Sequence, residues 1–132
     1  MTGRVFHGVD LDKNYGSLML KAENPERKRH YALLRQFRGY CLRLEREVRK
    51  EMIVLGNDGR IYMVIDIKGW GIEEKEYWLQ RLTSSVMTKK EATDIYPLEW
   101  WIDERDRLRE GVERRPMWFK VVDAIKKMEV QQ

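Results

Sequence analysis

Apolar residues recur at steps of three and four between Asn24 and Leu55, and this period predicts one long amphipathic helix. The helix has a favourable start, because Asn24 can cap free backbone N–H groups and Pro25 suits the first helical position. Its apolar stripe consists of Leu33, Leu34, Phe37, Tyr40, Cys41, Leu44 and Val48. The sequence therefore predicts that this helix organises the core.

A β-hairpin is predicted after the helix. The turn-forming residues Asn57, Asp58 and Gly59 separate two apolar, partly β-branched runs, at 52–55 and 61–65. The strand at about 60–67 is the firmer of the two, because the long helix can also extend into the first run.

Further helices are predicted downstream. Apolar spacing predicts a short helix over 73–82, and Thr88 and Glu91 match a capping box at a helix start. Pro97 and Pro116 open two more helices, each with an apolar face.

These elements predict a mainly α protein, a helical bundle organised on one long basic amphipathic helix with a small β-hairpin insert near 52–68. An α+β domain built around a small sheet is the alternative. The organisation expected is an N-terminal arm at 1–23 and a single helical domain at 24–132.

Composition narrows the class of protein. The chain has 132 residues, of which 36% are charged, above the usual ~25%. Such charge is typical of heat-adapted proteins with surface ion-pair networks. Cys41 is the only cysteine, which excludes an intramolecular disulfide and a cysteine-cluster metal site, and its place in the apolar stripe predicts a buried thiol. Without a leader or an apolar run of ~18 residues, we expect a soluble protein that stays inside a cell or leaves it as part of a particle.

Cations follow the predicted helix on the side away from the apolar stripe. Lys28, Arg35, Arg38, Arg46 and Arg49 recur at a similar period over roughly 30 Å of helix. The candidate nucleic-acid-binding residues are Arg27, Lys28, Arg29, Arg35, Arg38, Arg43, Arg46, Arg49 and Lys50. A solvated helix face is the alternative explanation, but cations in the first turn oppose the helix dipole and are poorly placed for helix stability alone.

Two short motifs bear on catalysis. Gly3 to His7 reads G-x-x-x-H, and the run from Asp58 to Gly69 is an apolar strand that ends in Asp66-Ile67-Lys68-Gly69. Together they resemble RecB-like nucleases of the PD-(D/E)xK superfamily, including the CRISPR-associated branch. The resemblance implies a divalent cation held by acids such as Asp66, with Lys68 helping to position the nucleophile.

The chain departs from that family at the second metal-binding acid. The run at 50–56 contains no aspartate; Glu51 is close but is predicted to be helical, and Asp58 is better explained as a turn residue. Some filamentous DNA viruses of hyperthermophilic archaea have a capsid protein that looks derived from such a nuclease, and this sequence is similar to it in size, basicity and residual motif. That resemblance implies a coat protein that retained DNA binding and lost cleavage.

The sequence thus predicts a structural DNA-binding protein, a major capsid or nucleocapsid subunit that coats double-stranded DNA through phosphate contacts. We expect no catalytic residues, no metal and no cofactor, and homo- or hetero-oligomers with other coat subunits. A metal-dependent PD-(D/E)xK-type nuclease and a small non-enzymatic interaction protein are the alternatives. The tryptophans at 100, 101 and 118 are expected in the core and not as base-stacking platforms.

Overall fold

The computed structural model describes residues 4–108 and 116–131, which form an α+β domain. Its elements in chain order are β1 (Val5–Phe6), β2 (Val9–Asp10), α1 (Tyr15–Lys21), α2 (Pro25–Glu47), β3 (Ile53–Gly56), β4 (Ile61–Lys68), α3 (Gly71–Glu74), β5 (Glu76–Arg81), β6 (Met87–Lys90), β7 (Ile95–Pro97), α4 (Leu98–Leu108) and α5 (Met117–Gln131). A single 3₁₀ turn at Ala92–Asp94 precedes β7.

The preferred prediction of a helical bundle is wrong. Five strands form one antiparallel sheet in the order β6-β5-β4-β3-β7, and β1 pairs with β2 in a separate ribbon. The structure therefore has the alternative α+β class. The hairpin predicted near 52–68 is present as β3 and β4, but it is the centre of a sheet and not an insert between helices.

The start of α2 is as predicted, and its end is not. Asn24 accepts a hydrogen bond from the Glu26 N–H, and Pro25 is the first helical residue. The helix was expected to reach Leu55 but ends at Glu47, with Val48 already extended and Glu51 at φ 72°. The β-branched Ile53 and Val54 instead pair with β4, where their side chains suit a pleated surface.

The helix predicted over 73–82 is also wrong. Only Gly71–Glu74 is helical, and Glu76–Arg81 is strand β5 between β4 and β6. Tyr77 and Leu79 are buried at alternate positions, which is the period of a strand. The capping box predicted at Thr88 is likewise replaced by β6, and Glu91 binds His7 instead.

One hydrophobic core joins the sheet, α2 and α5. The inner face of α2 contributes the buried residues Leu34, Phe37, Cys41, Leu44 and Val48. The Phe37 ring stacks on Trp118 of α5, with centroids 5.6 Å apart. This confirms the predicted apolar face of α2 and the burial of Cys41, and α5 begins after Pro116 as predicted. Within the described segments, no helix is long and apolar enough to cross a membrane.

Candidate nucleic-acid interface

Positive charge is concentrated in and just after α2. Residues 27–50 contain nine of the 26 lysines and arginines of the chain but only two of its 22 acids, so they carry +7. The remaining 108 residues then carry −3 in total, because the whole chain carries +4. The modest net charge therefore hides a strong separation of charge along the chain.

The outward face of α2 carries what we call the basic stripe, which consists of Lys28, Arg35 and Arg46. All three side chains are exposed, and Lys28 and Arg46 are roughly 27 Å apart along the helix, at a rise of ~1.5 Å per residue. Arg27 and Arg29 are exposed beside Lys28 in the first turn. The packing of the inner face against the core thus leaves this row of cations facing solvent.

Most of these exposed cations are unpartnered. Among the side chains that the structure describes, at 4–104 and 116–129, no ion pair or hydrogen bond engages Arg27, Lys28, Arg29, Arg35 or Arg49. Arg46 lies 3.8 Å from Glu47, with its side chain 72% exposed. The fold therefore makes little use of their charge, and they are available to a ligand.

Two of the nine candidate cations, Arg38 and Arg43, have partners on other elements of the fold. Arg38 donates from Nε to the Leu11 carbonyl at 2.7 Å and so fastens α2 to the loop after β2. Arg43 donates to Glu47 at 2.9 Å, and its guanidinium lies 3.7 Å from the centroid of the Trp100 ring. Both side chains stabilise contacts between elements, which distinguishes them from the basic stripe.

Arg49 and Lys50 lie beyond the end of α2, in the turn that leads to β3. Both are exposed, and they line a cavity of about 480 Å³ together with Leu98 and Glu99 of α4. Lys50 Nζ is 3.3 Å from Asp66 Oδ1. Arg49 and Lys50 thus extend the positive surface past the end of α2, although the charge of Lys50 is partly offset by its ion pair with Asp66.

The residues of the nuclease-like motif lie in different surroundings. Asp66 accepts a hydrogen bond from the Ile67 N–H and pairs with Lys50, and these contacts lower its pKa. Lys68 instead lies over the Trp78 ring, 4.8 Å from its centroid. A β-bulge between Val64 and Asp66 shifts the register of β4 against β5 at this point.

Asp58 is a turn residue, as predicted. It accepts hydrogen bonds from the Arg60 N–H and the Tyr62 hydroxyl. Burial raises the pKa of Asp58, but these two hydrogen bonds outweigh that effect and leave the pKa lowered. The carboxylate thus holds the β3–β4 turn in place.

His7 lies between two carboxylates that the sequence does not bring together. Its Nδ1 is 2.7 Å from Glu129 of α5, and its Nε2 is 2.9 Å from Glu91. The hydrogen bond to Glu91 is the largest cause of the raised pKa of His7, while burial opposes it. The same hydrogen bond lowers the pKa of Glu91 to about 2. His7 therefore joins the β1–β2 turn to α5 through charge.

The described residues lack a cluster of metal-ligating side chains. In that part of the chain, no group of three or more His, Cys, Asp or Glu side chains is arranged to hold a metal ion. His7 and Asp66 each have their own partners, at Glu91 and Lys50, and the structure does not bring the two together.

Two features escaped the sequence analysis. Trp70 is 88% exposed, in contrast to Trp100 and Trp118, which are in the core as predicted. An apolar groove of about 430 Å³ lies beside the basic stripe, with Gly39 at its floor. In the sequence, the groove is indicated only by the isolated Gly39 within the predicted helix. The exposed indole is indicated by the two glycines that flank Trp70.

Comparison of the chain with protein-family models, with curated protein sequences and with solved structures finds no match in any of the three. The assignment of function consequently depends on the geometry and charge described above.

Proposed function

We propose that this protein binds double-stranded DNA along the outward face of α2, by neutralising phosphates and without reading sequence. The observation that carries the proposal is a row of exposed cations along α2 and just after its end. Arg27, Lys28, Arg29, Arg35 and Arg49 of this row have no partner in the described chain, and the chain outside residues 27–50 is net acidic. Arginine and lysine contacts to phosphate supply most of the affinity in such complexes.

The first turn of α2 supports an external partner for these charges. Arg27, Lys28 and Arg29 lie at the positive end of the helix dipole, where a cation is unfavourable by ~0.3–1 kcal/mol. Glu26 is the one acid of that turn, and within the described segments no carboxylate forms an ion pair with the three cations. A bound phosphate would face both the cations and the positive end of the helix, and would turn this unfavourable arrangement into a favourable one.

The length of the row suits a polyanion better than a small anion. It runs roughly 27 Å from Lys28 to Arg46, and double-stranded DNA carries one negative charge per ~1.7 Å of its axis. Several phosphates can therefore face the stripe at once. The resemblance to nuclease-derived capsid proteins extends the proposal to a coat subunit that packages DNA in a virion and does not cut it.

The decisive measurement is the salt dependence of DNA affinity for a charge-depleted variant. Replacement of Lys28, Arg46 and Arg49 by Gln should flatten the slope of log K against log salt by about 0.9 per lost contact, for all DNA sequences alike. The matched control replaces Lys68, Lys89 and Lys120 by Gln, which removes the same charge from other exposed positions.

An equal change of slope in both triple variants would refute the assignment to α2, because it would mean that net charge alone governs binding. The coat role has a separate test, electron microscopy of the protein with and without double-stranded DNA. Filaments that contain DNA support it, and discrete unassembled particles under both conditions contradict it.

A further inference from the structure

Trp70 projects from the surface on a tight turn whose backbone packs closely on α3. Its neighbours Gly69 and Gly71 both have positive φ, at 102° and 68°. A Cβ at Gly69 would lie 2.5 Å from the Glu74 carbonyl oxygen, so only glycine fits there. Beneath the turn, Ile72 is fully buried. The indole is thus exposed on a fixed support and not on a loose loop.

The support is fastened to α2. Glu45 of α2 accepts a hydrogen bond from the Ile72 N–H at 2.9 Å, and the same carboxylate takes two hydrogen bonds from Arg4. These contacts lower the pKa of Glu45 against the opposing effect of burial, so the carboxylate is held in its charged form. Trp70 therefore has a defined position relative to α2.

The apolar groove lies on the other flank of α2. Ala32, Gly39 and Arg43 share that flank at helical spacing, whereas Glu45 lies on the opposite one. Met19 of α1 closes one side of the groove and Tyr40 the other. A Cβ built at Gly39 would meet no heavy atom within 4 Å, so the chain itself does not fill this space.

Gly39 has no role inside the protein that accounts for it. Glycine within a helix is unfavourable relative to alanine. Its φ is not positive, and no described atom lies close enough to exclude a side chain at this position. The space at Gly39 is therefore open to a side chain from outside the protein.

We propose that the Trp70 turn of one copy docks into the Gly39 groove of a second copy. Charge complementarity selects this occupant. Glu74 closely follows the turn that bears Trp70 and is exposed, and the exposed, unpartnered Arg35 borders the groove. An indole buries 150–250 Å² when it is enclosed, and Arg35 can supply a cation–π contact as well as an ion pair.

The contact is heterologous, because the projecting turn and the groove are different surfaces on opposite flanks of α2. Repetition of such a contact generates rings or open filaments and not closed two-fold dimers. One tryptophan in one groove falls short of the ~1,200 Å² typical of stable interfaces. Free protein should therefore associate weakly, and a shared polymer that raises the local concentration should strengthen assembly.

The test uses protein without nucleic acid, so its result is independent of the proposed DNA binding. In sedimentation velocity over a concentration series, the wild type should show species larger than a dimer. Trp70→Ala and Gly39→Leu should each abolish them. Leu at position 39 lies on an exposed helix face and should raise the melting temperature, so loss of assembly in that variant is not a folding defect.

A mixture of the two variants separates this contact from its alternatives. Trp70→Ala keeps the groove and Gly39→Leu keeps the indole, so the mixture should form one-to-one heterodimers that cannot grow. Assembly by Gly39→Leu alone would overturn the proposal in favour of Trp70 stacking on its own copy. A monomeric wild type at every concentration would also overturn it.

Charge exchange provides a second measurement. Glu74→Arg and Arg35→Glu should each weaken association, and a mixture of the two should regain it, because the reversed charges then face each other. Both side chains are exposed, so neither change threatens the core. Failure of the mixture to regain association, with both variants folded, would overturn the assigned pairing.

Discussion

Charged residues gather in two regions of this protein and are used in opposite ways. In what we call the Lys126 cluster, composed of His7, Glu91, Asp94 and Lys126, every charge has a partner. Lys126 Nζ lies 3.0 Å from Asp94 and 3.4 Å from Glu91, and His7 is bracketed by carboxylates. In the basic stripe, Lys28 and Arg35 have none within the described chain, and Arg46 has only a long contact to Glu47.

This contrast distinguishes charges that stabilise the fold from charges that are available to a ligand. The Lys126 cluster ties the β1–β2 turn, the 3₁₀ turn and α5 together, and its members are partly buried. The basic stripe joins no elements, so its loss should leave the free energy of unfolding nearly unchanged. Stability and binding measurements on matched variants therefore test the distinction directly.

The largest loss of stability should come from a substitution of Phe37, which is buried between α2, which bears the basic stripe, and His7 of the Lys126 cluster. Its ring contacts Trp118 at 5.6 Å and lies 6.5 Å from the His7 ring, on the inner face of the helix that bears the stripe. Phe37→Ala should lower the free energy of unfolding by about 3–5 kcal/mol, because it opens a cavity in the core. Chemical denaturation measures this. A loss below about 1 kcal/mol would contradict this, because it would mean that the surrounding core relaxes and fills the cavity.

The second effect breaks the Lys126 cluster alone. Lys126→Met keeps the aliphatic stem but removes the cation of Asp94 and one of the two partners of Glu91, which retains His7. We therefore expect a loss of about 1–3 kcal/mol in the free energy of unfolding. The matched control, Lys28→Met, should stay within about 0.5 kcal/mol of wild type. Equal losses in the two variants, measured by denaturation, would erase the distinction between the regions.

Sequence reasoning located the parts of the fold that depend on local signals. The start of α2 follows from Asn24 and Pro25, and its buried face follows from the three- and four-residue spacing around Phe37. The β3–β4 turn follows from Asn57-Asp58-Gly59, where Gly59 has φ 80°. Each of these features is determined within a few residues, so a linear pattern is sufficient.

The sheet could not be found in the same way. In β5 only Tyr77 and Leu79 show strand alternation, while Ile72, Leu79 and Leu82 imitate helical spacing. Short strands are stabilised by their neighbours more than by their own propensity, and β5 lies between β4 and β6. The helical bundle was predicted because this non-local pairing is invisible in the sequence.

The sequence identified the cations of the candidate interface but not the contacts that each of them makes in the fold. All nine candidate cations lie in or just after α2. The sequence does not reveal that Arg38 donates a hydrogen bond to the Leu11 carbonyl or that the Arg43 guanidinium lies over the Trp100 ring. His7 meets Glu91 and Glu129 across 84 and 122 residues. Tertiary packing alone determines which charges are left exposed.

A third prediction contrasts two arginines of the same helix. Arg38→Met loses the hydrogen bond to the Leu11 carbonyl and should cost ~1 kcal/mol of stability, with little change in the salt dependence of DNA binding. Arg46→Met should do the reverse and lower the slope of log K against log salt by about 0.9. Denaturation and salt titration of both variants provide the readout. An Arg38 variant with a lowered slope and unchanged stability would reassign that residue to the interface.

The smallest effect is a pH dependence that belongs to the Lys126 cluster and not to the basic stripe. His7 has a raised pKa, so its contribution to stability is complete below its ordinary value of 6.5 and is lost as the pH rises through the folded value. Glu91, with its pKa lowered to about 2, contributes above its ordinary value of 4.5 and loses that contribution as the pH falls towards 2. The stability difference between wild type and His7→Gln should therefore be largest between pH 4.5 and 6.5 and should shrink on both sides. Denaturation of both proteins across this range measures the difference, with Arg46→Gln as the control that should follow wild type at every pH. A difference that stays constant from pH 5 to pH 9 would show that His7 stabilises the β1–β2 turn by packing on Phe6 and not by charge.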